Sequence, residues 1–236
     1  MVHAAGVSHG VVEIDEVTPD KVEVELRAKV AGATHLDELT RDLDLDAFVL
    51  FSSGASAWGS GGQAAYAAGN AYLDSLAAHR RAHGRPGTAI AWGNWAEAGM
   101  AVDNPEQGAY LRRLGVLPMR PELALAALSR VLRDDETGMI VTDMDWSRFA
   151  PAFTVARRSA LLSDISEVDQ ALTGAARDTE DEAGSGFTLR WAGLASTERP
   201  DSSRSSFGSR SPRCWDTPPP LGSMSGRRSR SWVSTR

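Results

Sequence analysis

Four side chains of different chemistry stand close together in the first third of the 236-residue sequence. Ser53 ends a short apolar run, Tyr66 follows thirteen residues later, and Asn70 lies four residues beyond Tyr66. Residues four apart lie on the same face of a helix, so Tyr66 and Asn70 should point the same way. Lys29 precedes Ser53 by 24 residues, on what the spacing predicts to be the preceding helix. The set offers a hydroxyl, a phenol, a carboxamide and an ammonium group.

This set suits the reduction of a carbonyl. A hydride that arrives at carbon leaves negative charge on oxygen, which needs a hydrogen-bond donor and then a proton. We expect Ser53 to hold the carbonyl, and Lys29 to lower the pKa of the Tyr66 phenol from its ordinary value of about 10. Asn70 would fix Lys29 and a proton-relay water, and no metal is required. Taken singly, each residue is equally compatible with capping, packing or a solvated helix face.

Elements of an α/β fold would bring these side chains together. Apolar runs predict buried strands within 2–7, 46–53, 87–95 and 138–146, and helical spacing predicts helices over 18–42, 62–84, 104–115 and 120–135. Their alternation predicts a parallel sheet with helices on both faces and a ligand beyond the carboxyl ends of the strands. No G-x-G-x-x-G motif follows a strand, and Gly59–Gly62 lacks the spacing of a phosphate loop.

Composition restricts the class of protein. Hydrophobic residues make up 42% of the chain, enough for a sizeable core, and no run of about 18 apolar residues predicts a membrane span. The start lacks the pattern of a signal peptide, and the single Cys214 excludes an intrachain disulfide and a cysteine-built metal site. A cytoplasmic location is expected.

Four stretches resemble the ketoreductase domain of modular type I polyketide synthases, within the short-chain dehydrogenase/reductase superfamily. They are "HAAGV", "LRAKVAGATHLDELT", "FVLFSSGASAWGSGGQAAYAAGNAYLDSLAAHRRAHG" and "IAWGNWAEAGM". Ordinary members of the superfamily carry Tyr-x-x-x-Lys, whereas this chain has Tyr66-Ala-Ala-Gly-Asn70 with lysine upstream at Lys29, an exchange typical of synthase ketoreductases. The resemblance, over about residues 2–183, implies Tyr66 as proton donor, Ser53 as carbonyl donor, Lys29 and Asn70 in support, and NADPH as hydride source.

Two positions resemble features that set product configuration. Trp58, eight residues before Tyr66, matches the fingerprint of A-type domains, which give the L-hydroxyl, and Ser8-His9-Gly10 replace the Leu-Asp-Asp signature of B-type domains. Gln63 matches the subtype that does not select an epimerised 2-substituent. A tryptophan beside a glycine-rich loop is also compatible with simple packing.

The resemblance also assigns the cofactor and substrate contacts. Backbone beside the nicotinamide would come from two strand ends, Ala4, Ala5 and Gly6 on one and Trp92, Gly93 and Asn94 on the other. Met100 and residues 101–116 would form a lid over the acyl chain of a β-ketoacyl thioester carried on an acyl carrier protein.

The glycine-rich dinucleotide loop of the family has no counterpart in this sequence. We therefore expect a partial Rossmann-type parallel sheet without its first βαβ half, weak NADPH binding by the isolated chain, and upstream polyketide synthase domains that supply the missing half. Residues 1–152 would be the C-terminal part of the catalytic domain, and residues 153–183 a helical segment. The main alternative is a non-catalytic remnant of a truncated synthase gene; a stand-alone dehydrogenase for small alcohols fits the Lys29 and Asn70 arrangement less well.

Residues 184–236 differ in composition from the rest. They carry net charge +6 against −12 for residues 1–183, and they are rich in Ser, Arg and Pro. We expect a disordered tail with no nucleic-acid partner, because it lacks lysine clusters and helical spacing. A frameshift is one hypothesis for its origin: carrier-protein motifs read one base late would give Cys-Trp-Asp-Thr-Pro at 214–218 and Ser-Trp-Val-Ser-Thr-Arg at 231–236.

Overall fold

One parallel-dominated sheet organises the chain. The computed structural model describes residues 1–8, 10–97, 99–156, 158–182 and 231–234. In this part the strands are β1 (Val2–His3), β2 (Val49–Ser53), β3 (Thr88–Trp92), β4 (Asn94–Trp95), β5 (Val116–Met119), β6 (Gly138–Met144) and β7 (Ser231–Ser234). Their order is β1-β2-β3-β6-β5-β4, with β7 also paired to β6. The predicted α/β fold class is confirmed.

Helices flank the sheet. They are α1 (Pro19–Leu26), α2 (Gly32–Leu39), α3 (Ala55–Trp58), α4 (Ala64–Ala82), α5 (Met100–Asp103), α6 (Pro105–Arg113), α7 (Pro121–Arg133), α8 (Trp146–Thr154) and α9 (Ser166–Glu182). Two 3₁₀ turns lie at Ile14–Glu16 and Ala160–Leu162. The Thr18 side chain accepts from the Lys21 amide at the start of α1, as expected of a Thr-Pro helix start. Among the described helices, none is long and apolar enough to cross a membrane.

The first helical prediction, over 18–42, is interrupted. A π-helical turn at Arg27–Ala31 separates α1 from α2. Such turns insert one extra residue into a helix and occur frequently at functional sites. Lys29 lies in this turn.

Strand β5 was not predicted from the sequence. It pairs antiparallel with β6, Val116 opposite Met144 and Leu117 opposite Asp143. Pro118 within it weakens the strand pattern, because proline cannot donate to a sheet ladder. Residues 101–116, predicted as a lid, thus form most of α5, all of α6 and the first residue of β5.

Two apolar layers pack against opposite faces of the sheet. In β2, Val49 belongs to a cluster with Ile90 and Val131, whereas the next residue, Leu50, belongs to a cluster with Leu73. This alternation is the period of a strand buried on both faces. Helix α4, which carries Tyr66 and Asn70, is thereby fixed under β2 and β3.

A buried ion pair joins α2 to α4. Arg80 Nη1 lies 2.5 Å from Asp37 Oδ1, Arg85 Nη1 lies 3.0 Å from the same oxygen, and the Arg80 guanidinium stacks 3.8 Å from the Phe48 ring centroid. Arg80 is only 1% exposed. A buried charge needs such a partner, so this contact holds the helix after Lys29 against the helix of Tyr66.

Four residues of the predicted disordered tail form a strand. Ser231–Ser234 pairs in parallel with Met139–Thr142 of β6. Valine and tryptophan favour strands. Strand β5 pairs only with the last residues of β6, which leaves the rest of this edge of β6 open to β7.

The predictions for residues 183–230, 235 and 236 lie outside the described part of the chain, as do the proposed frameshift motif at 214–218 and the ends of the second motif. The domain boundaries at residues 152 and 183 stay predictions.

Gly93, between β3 and β4, is expected not to tolerate a larger residue. A Cβ atom there would clash with Thr142, whose own Cβ would be 2.8 Å away. We expect Gly93→Ala to lower the free energy of unfolding by about 1–3 kcal/mol, the cost of overpacking a core, measured by urea denaturation. Gly138→Ala in β6 is the control, since no heavy atom lies within 4 Å of the added methyl. Equal losses in the two variants would contradict this explanation.

Candidate active site

A cleft of about 230 Å³ opens at the carboxyl ends of the central strands. The register pairs Ser53 at the end of β2 with Trp92 at the end of β3, so both strands finish at one edge. Ten of the thirteen predicted site residues line the cleft: Ala4, Lys29, Ser53, Trp58, Gln63, Tyr66, Trp92, Gly93, Asn94 and Met100. The structure therefore brings the catalytic, cofactor and substrate predictions to one place.

Tyr66, Ser53 and Asn70 form a hydrogen-bonded group at the start of α4. The Tyr66 side chain interacts with the side chains of Ser53 and Asn70. Ser53 Oγ accepts from the Ala55 amide at 3.3 Å, and Asn70 Nδ2 donates to the Tyr66 carbonyl at 2.8 Å. Asn70 is fully buried, and its Oδ1 has no hydrogen-bond partner among the described residues. A water or a ligand donor would satisfy this oxygen.

Lys29 enters the cleft from the π-helical turn. It is 4% exposed, its Nζ donates to the Phe51 carbonyl at 3.1 Å, and Nζ lies 5.7 Å from the Tyr66 ring centroid. Burial lowers the pKa of Lys29 to about 8, and the Asp74 carboxylate opposes this shift. A Cβ at Gly6 would lie 3.1 Å from Lys29 Cε, so the loop after β1 packs directly on the lysine stem.

Two expectations about this group are wrong. Burial raises the pKa of Tyr66, and the Glu25 carboxylate adds to the rise, although hydrogen bonds from Ser53 and Asn70 oppose it. The Lys29 ammonium lies over the ring and is directed to the Phe51 carbonyl, and it is not among the groups that shift this pKa. Nor does Asn70 fix Lys29: its amide donates to the Tyr66 carbonyl. The phenol is consequently held in its neutral, proton-bearing form.

Trp58 forms one wall of the cleft. Its indole covers Gly54, where any Cβ would clash with the ring, and it meets the Phe149 ring edge-to-face with centroids 5.7 Å apart. Phe149, 91 residues further along the chain, was not identified from the sequence, because no local pattern links a residue of α8 to α3. Only the fold brings the two rings together.

Gln63 is held on both sides by serines. Ser60 Oγ donates to Gln63 Oε1 at 2.6 Å, and Gln63 Nε2 donates to Ser8 Oγ at 3.2 Å. This connects the start of α4 to the loop after β1. His9, in the place of the B-type signature, lies outside the described residues.

Unpartnered polar atoms mark the region predicted for the cofactor. Trp92 Nε1, a donor, and Asn94 Oδ1, an acceptor, are buried without hydrogen-bond partners among the described residues. A carboxamide such as that of nicotinamide carries both complementary groups, so the predicted residues fit this part of the cofactor. Of the other assignments, Ala4 lines the cleft, Gly6 contacts Lys29, and Ala5 is exposed. No group of three or more metal-ligating side chains occurs in the described part.

Met100 lies at the edge of the cleft. Its Cε would be 3.4 Å from a Cβ at Gly6, so the first residue of α5 closes over the loop that contacts Lys29. Its predicted role in a lid over the acyl chain stays a prediction.

Comparisons with known proteins identify relatives of this chain. The family model described as KR domain matches residues 1–97. Polyketide synthase GfsA of Streptomyces halstedii is 54% identical over 170 residues, which are 71% of this chain and 2% of that protein. Pikromycin polyketide synthase component PikAIII of Streptomyces venezuelae is 50% identical over 172 residues, 73% of this chain and 11% of that protein. The chain thus spans a small part of these relatives.

A solved structure has a similar fold. The structure of A-type ketoreductases from a modular polyketide synthase is 54% identical, with a TM-score of 0.70 over 72% of this chain and 36% of that chain. Sequence, fold and the placement of Ser53, Tyr66 and Lys29 around one cleft lead to one assignment: this chain belongs to the ketoreductase domains of modular polyketide synthases.

Proposed function

We propose that this chain carries the proton-handling part of an NADPH-dependent ketoreductase. Its substrate would be a β-ketoacyl thioester on an acyl carrier protein, reduced to the β-hydroxyacyl thioester in polyketide biosynthesis. The observation that carries the proposal is the half-buried, neutral Tyr66 phenol beside the Ser53 hydroxyl and the Lys29 ammonium in one cleft.

Each of the four side chains has a separate role in the proposed reduction. Tyr66 donates a proton to the substrate oxygen, and its raised pKa keeps that proton in place until negative charge develops. Ser53 donates a second hydrogen bond to the same oxygen. The Lys29 ammonium, near the Tyr66 ring, favours the developing negative charge, and the free Asn70 Oδ1 accepts from a water that restores the proton.

NADPH supplies the hydride when it is bound. Trp92 Nε1 and Asn94 Oδ1 would satisfy the nicotinamide carboxamide, and the small residues at 4–6 allow close approach of the ring. We propose that the phosphate and adenine contacts come from a neighbouring polyketide synthase segment, since this sequence holds no glycine-rich dinucleotide loop.

Co-expression tests the function. The chain would be produced together with the polypeptide that encodes the first half of a ketoreductase domain, and NADPH consumption would be measured with a β-ketoacyl thioester. We expect turnover by the complex and none by either part alone. A complex that forms and binds NADPH without turnover would instead favour a non-catalytic remnant.

Trp58 is proposed to set an A-type product configuration. It lines the cleft together with Gln63, in the arrangement that the resemblance to A-type domains implies. We expect Trp58→Ala in the active complex to convert a single L-hydroxyl product into a mixture, measured by chiral chromatography. Trp146→Ala is the control, because Trp146 contacts Phe149 at 6.0 Å between centroids and does not line the cleft. Unchanged configuration in Trp58→Ala would overturn the assignment.

A further inference from the structure

His3 is a buried titratable residue that the proposed reaction does not use. It is the last residue of β1, pairs in register with Leu50 of β2, and is 6% exposed. On its other side lies the start of α2, where a Cβ at Gly32 would be 3.4 Å from His3 Cε1. The imidazole is therefore enclosed between the sheet and the chain that follows the π-helical turn.

The imidazole contacts the backbone of this turn. The backbone of Lys29 and the backbone of Ala28 lie close enough to the ring to raise its pKa, as expected when carbonyl oxygens face an imidazole. A π-helical turn departs from the regular hydrogen-bond ladder, and here the Gly32 amide donates to the carbonyls of Arg27 and Lys29. An imidazole N–H directed at these carbonyls would give the turn an additional donor from outside the helix.

The ring is held neutral. Burial lowers the pKa of His3 first, and the neighbouring Lys29 charge lowers it further. A neutral imidazole has one N–H donor and one unprotonated nitrogen. His3 Nε2 is buried and has no hydrogen-bond partner among the described residues, so the ring has capacity for a bond to the nearby turn.

We propose that His3 is a positioning residue for Lys29. Its imidazole braces the π-helical turn at Ala28 and Lys29, and the braced turn directs Lys29 Nζ to the Phe51 carbonyl and the face of Tyr66. Gly6 and Gly32 make this possible, because the first admits the lysine stem and the second admits the imidazole. The importance of this bracing for turnover depends on the proposed reductase function, but the bracing itself does not.

Lysine titration in the full chain tests the proposal without substrate or cofactor. The sequence contains only two lysines, Lys21 and Lys29, so isotopically labelled lysine gives two side-chain NMR signals, and Lys21→Arg assigns them. The variants His3→Phe and His3→Met fill the space without a donor, whereas His3→Asn retains an N–H group. His35→Phe is the matched control, since His35 is exposed on α2.

We expect the pKa of Lys29 to rise from about 8 towards the ordinary lysine value in His3→Phe and His3→Met, by about one unit or more, as the ammonium becomes hydrated. It should stay near its original value in His3→Asn and His35→Phe. A folded His3→Phe or His3→Met variant with an unchanged Lys29 pKa would overturn the proposal. So would an equal shift in His3→Asn, or the loss of folding in all three His3 variants, which would assign His3 to general packing.

Discussion

Replacing Tyr66 with phenylalanine is expected to lower kcat for ketoreduction by about 10²–10⁴-fold, the usual contribution of a positioned general acid. The variant removes one oxygen from a half-buried ring and leaves the apolar contacts of α4 in place. Ser53 would still donate a hydrogen bond to the substrate oxygen, so binding should change less than turnover. The measurement is steady-state kinetics of the co-expressed complex.

Tyr72→Phe is the matched control for this experiment. Tyr72 lies on the same helix, but its hydroxyl is 2.7 Å from Thr34 Oγ1 and does not line the cleft. We expect this variant to retain turnover within about threefold, because it removes a hydrogen bond of modest net free energy outside the site. If Tyr66→Phe lost no more activity than Tyr72→Phe, Tyr66 would not be the proton donor.

The arrangement of this site could be predicted wherever it depends on strand ends. Ser53 and residues 92–94 end two apolar runs, and the carboxyl ends of neighbouring parallel strands meet at one edge. The position of Tyr66 and Asn70 on one face of a helix follows from helical spacing alone. These assignments need only local pattern and the parallel topology, and the structure brings all four predicted catalytic residues together.

What escaped prediction depends on long-range contacts. Phe149 meets Trp58 only because α8 packs beside α3, and the stretch Arg27–Ala31 has ordinary helical spacing although it folds as a π turn. The direction of the Tyr66 pKa was also mispredicted. A lysine on the helix that precedes the Ser53 strand suggested a depressed pKa, but burial, which single-sequence patterns do not quantify, is the larger influence.

Replacing Lys29 with methionine is expected to stabilise the fold near neutral pH. The folded-state pKa of Lys29 is about 8, against 10.5 for a solvated lysine. Between these values the unfolded chain binds more protons than the folded chain, so the free energy of unfolding rises with pH across this window. Below about pH 8 the full cost of burying the ammonium applies. The difference between the two pKa values of Lys29 corresponds to a cost of about 3 kcal/mol at pH 7. Lys29→Met removes this cost but also loses the hydrogen bond to the Phe51 carbonyl, which offsets about 1 kcal/mol of the gain.

Urea denaturation at pH 7 and near pH 10 measures this effect. Lys29→Met should exceed the unmodified chain in stability at pH 7, and its advantage should shrink as the pH approaches 10.5. Lys21→Met is the control, because Lys21 is exposed and should show no comparable dependence. A Lys29→Met variant that is less stable at pH 7 than at pH 10, relative to the unmodified chain, would contradict the buried-ammonium account. The same change removes the cation beside Tyr66, so the variant should gain stability and lose turnover together. This is expected when a buried charge destabilises the fold but is needed for catalysis.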